Sequence, residues 1–305
     1  YRIIGLTAVI AGKLFRKSVI LKADSQGEMS GEFFESGLKK FGSSRSSLPF
    51  RLFLAFRNMI LKTADAFSAI SSEIASEWTS NRVPLKKIHV IPNGVDTAFF
   101  TPANAEQKLL LREKLNLPQA AIIAIYTGRL VSYKGLSLLL KVWDEIRCKH
   151  ENVLLLLAGI GGLDIHNCEA ELRGYVKAVG LEKDVIFLGA VQNVLEYLQA
   201  ADLFAFPTEN DAFPSSLVEA MACALPVVTT PVGAIKTIVT HRETGLLVQP
   251  GNYEQLFEAL DVMLSDKVMA SRLGQAGCEI VQERYSAGNT VMKYISLFES
   301  TLQPR

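Results

Sequence analysis

The chain has 305 residues, 49% of them hydrophobic and 21% charged, with 32 Lys and Arg against 31 Asp and Glu. That length allows two domains with buried cores, and that composition excludes a disordered chain. A formal charge of +1 argues against a nucleic-acid partner, so any anion is held by a local cluster rather than by an overall basic field.

The first residue is Tyr1 rather than Met, which fits a chain that begins inside a longer N-terminal domain. "IIGLTAVIAG" is too short to span a bilayer and no A-x-A pattern follows it, so it is expected as an ordinary buried helix. "SVILKAD", "ADAFSAIS" and "KIHVIPNG" predict three strands, with helices at about Pro49 to Lys62 and Ser71 to Asn81 between them. Three strands are few for a Rossmann-like domain, which usually has about six. "LPFRLFLAFRNMILK" is an apolar helix carrying Arg51, Arg57 and Lys62; it packs against its own domain or lies on an anionic membrane surface. "GSSRSS" reads as a flexible loop, and the polar, Pro-containing "NGVDTAFFTPANAEQ" as the linker between domains.

From Ala121 short apolar runs alternate with amphipathic segments. "AIIAIYTG", "NVLLLLAG", "DVIFLG", "DLFAFP", "LPVVTT" and "GLLV" predict strands; "LSLLLKVWDEIRCKH", "CEAELRGYVKAVG", "VLEYLQAA" and "SSLVEAMACA" predict helices. Continuous apolar strands separated by helices imply a parallel sheet covered on both faces, a doubly wound α/β domain. Two more helices follow in "YEQLFEALDVMLSD" and "VMASRLGQAGCEIVQERY", and a last one runs from about Ala287 to Leu302.

Ligands of open α/β sheets bind beyond the carboxyl ends of the strands. The loops there are "TGRLVSYKG", "GIGG", "GAVQN" and "TENDAFPSS". Arg129 and Lys134 bracket a loop that leads into a helix, and a helix start offers unpaired amides to an anion. Pro214 suits a first-turn position and Ser215 or Ser216 can cap. Glu219 lies a turn further on, able to accept hydrogen bonds from neutral hydroxyls. Taken alone, Arg129 and Lys134 read as solvated cations and Glu219 as an acid that complements the helix dipole; together they describe a ligand with a diphosphate and a diol. "GIGGLD" reads as a tight turn rather than a dinucleotide fingerprint. His89, His150, His166 and His241 share no metal or triad spacing, and there is no D-x-D, so no metal is expected. Cys148, Cys168, Cys223 and Cys278 are widely spaced and read as reduced thiols of a cytoplasmic protein.

"VIPNGVDTAFFTP", "YTGRLVSYKG", "VIFLGAV", "ADLFAFPTENDAFPSSLVEAMACALPVVTT" and "ETGLLVQPGN" resemble, in order and spacing, the motifs of the retaining glycosyltransferases of family 4, the glycosyl transferases group 1. "LFRKSVILKADSQGEMSG" and "TADAFSAISSEIASEW" resemble the second half of that family's N-terminal domain. The resemblance implies a GT-B fold of two Rossmann-like domains facing across a cleft, the first partial (1–97), the second binding a nucleotide sugar (98–285), and a closing helix (286–305) crossing back to the first. It implies metal-independent transfer of a hexosyl group, with retention and no cofactor, from a nucleotide-diphosphate sugar to a glycan or lipid-linked acceptor. A cytoplasmic enzyme of cell-envelope polysaccharide synthesis, peripheral on the inner membrane face, fits those terms. Arg129 and Lys134 would neutralise the diphosphate; Gly128 and the backbone of Phe213, Pro214, Ser215, Ser216 and Leu217 would hold phosphate and sugar; Glu219 would take the ribose hydroxyls; Ala190 and Val191 would meet the base. Asp211 would meet the sugar hydroxyls, where the family usually has Glu. The family's N-terminal catalytic histidine is not assigned, either to Asp24 or to Ser25. The alternatives are a donor-binding module without transfer activity and a nucleotide-sugar epimerase.

Overall fold

The structure, a computed structural model, describes residues 2–34, 44 and 46–302. The chain divides into two compact units, Tyr1–Asn93 with Gly288–Arg305, and Gly94–Ala287. Gly42, Ser43 and Arg45 of the "GSSRSS" tract lie outside the described residues.

In the first unit, β1 (Ile20–Ala23), β2 (Ala66–Ala69) and β3 (Ile88–Val90) form a parallel sheet in the order β1-β2-β3. Among the described residues, α1 (Arg2–Leu14), α2 (Leu48–Leu61) and α3 (Ser72–Ser80) precede or connect them. The core forms where Phe67 of β2 meets Trp78 of α3 edge-on at 5.3 Å, both fully buried. α3 starts where it does because the Ser71 hydroxyl accepts the Ile74 amide, which satisfies one of the helix's orphan donors. From the same helix Glu77 accepts the amides of Gly27, Met29 and Ser30 at 2.8, 2.9 and 2.9 Å, so one carboxylate shapes the loop after β1.

The expected burial of α1 is corrected. Val9 is buried, but Ile4 is 83% and Leu14 75% exposed. The helix is apolar all round, and packing against α2 covers only part of it. α2 is also apolar on two sides: Phe50, Asn58 and Leu61 face inward, while Leu48, Leu52, Phe53, Phe56 and Met59 are exposed. Arg57, one of the three cations of "LPFRLFLAFRNMILK", lies in the core. Its guanidinium lies 3.6 Å from the Glu28 carboxylate and donates to Glu28 O and Asn58 Oδ1, partners without which a buried charge is not tolerated.

In the second unit six parallel strands, β4 (Ile122–Thr127), β5 (Val153–Ala158), β6 (Val185–Gly189), β7 (Leu203–Phe206), β8 (Val227–Thr229) and β9 (Leu246–Leu247), lie in the order β6-β5-β4-β7-β8-β9. This is the doubly wound order, and its switch point falls between the neighbours β4 and β7. Every residue of β5 is buried, the reason its sequence shows no alternation. The helices are α4 (Ala105–Lys114), α5 (Leu136–Lys149), α6 (Glu169–Ala178), α7 (Val194–Ala200), α8 (Ser215–Ala222), α9 (Ile235–Ile238), α10 (Tyr253–Ser265) and α11 (Lys267–Arg284). α12 (Ala287–Leu302) closes the chain; its Leu297 clusters with Ala66 and Ile91, and its Tyr294 hydroxyl lies 3.0 Å from Ser68 Oγ.

α4 corrects the expected linker, which ran to Gln107. Asn104 and Gln107 exchange side-chain and backbone hydrogen bonds of 2.8 and 3.0 Å in a capping box. Arg112 then pins the helix beneath the sheet, donating to the carbonyls of Ala200, Gln119 and Ala121 and pairing with Asp202 at 2.6 Å.

Candidate active site

The loops after β4 and β7 are tied together at the switch point. Tyr133 O accepts from the Glu209 amide at 2.9 Å and from Thr208 Oγ1 at 3.3 Å. One glycine permits that approach, and a second lets the loop after β8 close on Asp211. A Cβ at Gly135, which has φ +71°, would lie 2.0 Å from Pro207 O, and one at Gly233, with φ +51°, would lie 1.7 Å from Asp211 O; both backbones need the left-handed region as well.

This closeness brings Lys134 to Asp211. The ammonium donates to Asp211 Oδ2 at 2.5 Å and sits 5.4 and 5.3 Å from the ring centroids of Tyr133 and Phe206. Lys134 is 7% exposed, so the carboxylate and the aromatic faces are what make its charge tolerable. The Asp211 charge, after burial, helps raise the pKa of Tyr126, whose hydroxyl donates to Arg129 O at 2.8 Å.

Arg129 lies further out. Its guanidinium pairs with Asp164 and donates to the Tyr133 hydroxyl at 2.8 Å, with 60% of its side chain exposed. A cavity of about 410 Å³ opens beside it, lined by Thr127, Gly128, Ala190, Val191, Ser216 and Glu219 among others. Burial alone pushes the Glu219 carboxyl above its ordinary pKa, which makes it a strong acceptor for a hydroxyl that reaches it.

The structure thus gathers Gly128, Arg129, Ala190, Val191, Ser216 and Glu219 around one cavity and couples Lys134 to Asp211 in the adjoining loops. The side chains of Phe213 and Leu217 are buried, with Phe213 6.0 Å from the Tyr285 ring, so only their backbones remain for a ligand. Serine capping of α8 is corrected: Pro214 is the N-cap residue and makes no side-chain bond, and Ser215 is already the first helical residue. The amides of Leu217 and Val218 turn to Pro214 O, and those of Ser215 and Ser216 have no protein acceptor among the described residues. Sequence reasoning missed Asp164, hidden in the "GIGGLD" turn, and Tyr133, the hub between the two cations. No group of three or more His, Cys, Asp or Glu gathers among the described residues.

The family model of the glycosyl transferases group 1 matches residues 107–279, more than half of the chain, and that of glycosyltransferase family 4 matches residues 32–99. The chain belongs to the group 1 glycosyl transferases. This group 1 glycosyl transferase is 27% identical over 252 residues to a D-inositol 3-phosphate glycosyltransferase of Xylanimonas cellulosilytica, covering 81% of the chain and 59% of that protein. It is 31% identical over 205 residues to a GDP-mannose-dependent monoacylated alpha-(1-6)-phosphatidylinositol monomannoside mannosyltransferase of Corynebacterium glutamicum, covering 64% and 52%. It therefore spans little more than half the length of these relatives. Among solved structures, Anabaena Alr3699/HepE in complex with UDP superimposes with a TM-score of 0.82 at 21% identity, covering 97% of this chain and 76% of that one. The sucrose-phosphate synthase of Thermosynechococcus elongatus gives 0.76 at 26% identity, covering 97% and 71%. The group 1 glycosyl transferase has the GT-B fold.

Proposed function

We propose that this site binds a nucleotide-diphosphate sugar and transfers its hexosyl group to a glycan or lipid-linked acceptor, with retention of configuration and without a metal or other cofactor. The observation that carries this is the convergence, at one switch point, of Arg129, Lys134, the free amides at the start of α8 and the half-buried Glu219. Arg129 and Lys134 stabilise the charge that develops on the leaving diphosphate, in a setting with little reorganisation left to do. Gly128 and the backbone from Phe213 to Leu217 hold phosphate and sugar, Glu219 takes the ribose hydroxyls, and Ala190 and Val191 meet the base. Asp211 holds Lys134 in place and turns its remaining acceptor capacity to a sugar hydroxyl. The acceptor attacks the oxocarbenium-like sugar on the face the diphosphate leaves. The Corynebacterium relative named for GDP-mannose and the Anabaena structure solved with UDP make guanosine and uridine diphosphate sugars the first donors to try.

We also propose a contact with the cytoplasmic face of a membrane through the exposed side of α2. Leu48, Leu52, Phe53, Phe56 and Met59 are exposed, and the helix has no acidic residue. No helix among the described residues is long and apolar enough to cross a membrane.

The test is transfer of labelled sugar from UDP-glucose, UDP-N-acetylglucosamine and GDP-mannose to inositol phosphate, oligosaccharide and lipid acceptors. Lys134→Ala and Glu219→Ala should each lower kcat/KM by at least about 100-fold. Near wild-type rates in both would overturn the assignment. Donor binding without transfer supports a binding module instead, and a new sugar nucleotide formed without acceptor supports an epimerase.

A further inference from the structure

The loop that joins β5 to α6 carries a carboxylate that no assigned role uses. Asp164 pairs through Oδ2 with Arg129, while its Oδ1 accepts the His166 amide at 2.9 Å. The loop is fastened to the one that bears Arg129 and Lys134: the Ser132 amide donates to His166 O at 2.9 Å, and the Cys168 amide to Leu130 O at 3.1 Å. Within the loop the Asn167 amide donates to Asp164 O at 3.0 Å, and the Gly161 amide to Glu169 Oε2 at 3.0 Å. The carboxylate is therefore delivered to the guanidinium by a fixed loop. Its side chain is 17% exposed, whereas that of Arg129 is 60% exposed.

We infer that Asp164 is a further residue of the donor site, a built-in counter-ion that competes with the donor's diphosphate for Arg129 and so sets donor affinity. The inference rests on the reading of Arg129 as a diphosphate contact. The two cations of the site then differ in kind. Lys134 is 9% exposed in its side chain, with its partner Asp211 inside the site, and that partner offsets the cost of burying the ammonium. Arg129 is open to water, where an ion pair is worth little, so exchange of a carboxylate for a phosphate costs little. Until it is exchanged, the Asp164 charge repels the incoming anion. A counter-ion and an orienting residue make opposite predictions: removing the charge tightens anion binding if Asp164 competes, and loosens it if Asp164 merely aims the guanidinium.

Asp164→Asn separates the two, because the amide oxygen still accepts from His166 while the charge is gone. Calorimetry with UDP, GDP and ADP as probes, on the whole chain, should show the best-bound nucleotide tightened about three- to tenfold in low salt, with the gain shrinking as salt screens the charge. Arg129→Ala should weaken binding, and Asp164→Asn added to Arg129→Ala should bring no further gain. Unchanged or weaker binding in Asp164→Asn, with Arg129→Ala weakened, overturns the counter-ion and leaves the proposed function standing. Unchanged binding in Arg129→Ala overturns the role of Arg129 and the counter-ion with it. Thermal melting of each variant confirms that the fold is retained.

Discussion

Lys134 and Glu219 carry opposite electrostatic problems. The lysine is a buried cation with a carboxylate at 2.5 Å; the glutamate is a half-buried acid whose pKa burial alone displaces. Burial favours the neutral carboxyl, so Glu219 stays protonated to a higher pH than an ordinary glutamate. A ribose hydroxyl needs the carboxylate as acceptor, so donor affinity should fall as pH drops through a point above the ordinary value of about 4.3, and Glu219→Gln should remove that limb from a plot of donor KM against pH. The sign for stability is the reverse: the native state binds the extra proton, so stability falls as pH rises through the window between the ordinary and raised values. Urea unfolding across that window should show the loss in the wild type and not in Glu219→Gln. The residue types at Arg129, Lys134, Asp211 and Glu219 were legible because strand ends and helix starts announce where a ligand binds. Their partners were not: Asp164 is 35 residues from Arg129 and Asp211 is 77 from Lys134, and no local pattern couples positions that far apart.

Among the elements, the strands of the second unit were legible because burial on both faces writes an unbroken apolar run, as "VLLLLA" of β5 does. α4 was missed because it is polar; its signal was the Asn104–Gln107 capping box, which lay inside a stretch with linker composition. α2 shows the limit of periodicity. Apolar residues occupy both of its faces, so composition cannot say which side is core, and Arg57 went inward because Glu28 and Asn58 were there to receive it. The outward residues carry a prediction: the chain should sediment with vesicles containing an acidic phospholipid more than with neutral ones. Phe53→Glu with Phe56→Glu should abolish that difference, while Arg57→Ala should destabilise the fold by about 3–5 kcal/mol in denaturant unfolding, since it strands the buried Glu28. Equal sedimentation of wild type and double variant would remove α2 as a membrane contact.

At the scale of the molecule, every residue of the proposed donor site belongs to the unit Gly94–Ala287. A nucleoside diphosphate at about 100 times its Kd should therefore add about 2.7 kcal/mol to the stability of that unit, read as a rise in its melting temperature. Hydrogen exchange should slow around residues 128–134 and 215–219, with the strands of the first unit unchanged. The amino-acid sequence by itself determined the α/β class, the sequence of elements and the rim on which the site residues lie. Those depend on apolar periodicity, helix caps and glycine positions, all of which act over a few residues. Only the tertiary structure decided which face of α2 is core, that Lys134 is a buried cation held by Asp211, and that Arg129 is matched by Asp164. These are electrostatic and packing choices made between loops brought together by the order of the strands, and a charge finds its counter-charge through space, not along the chain.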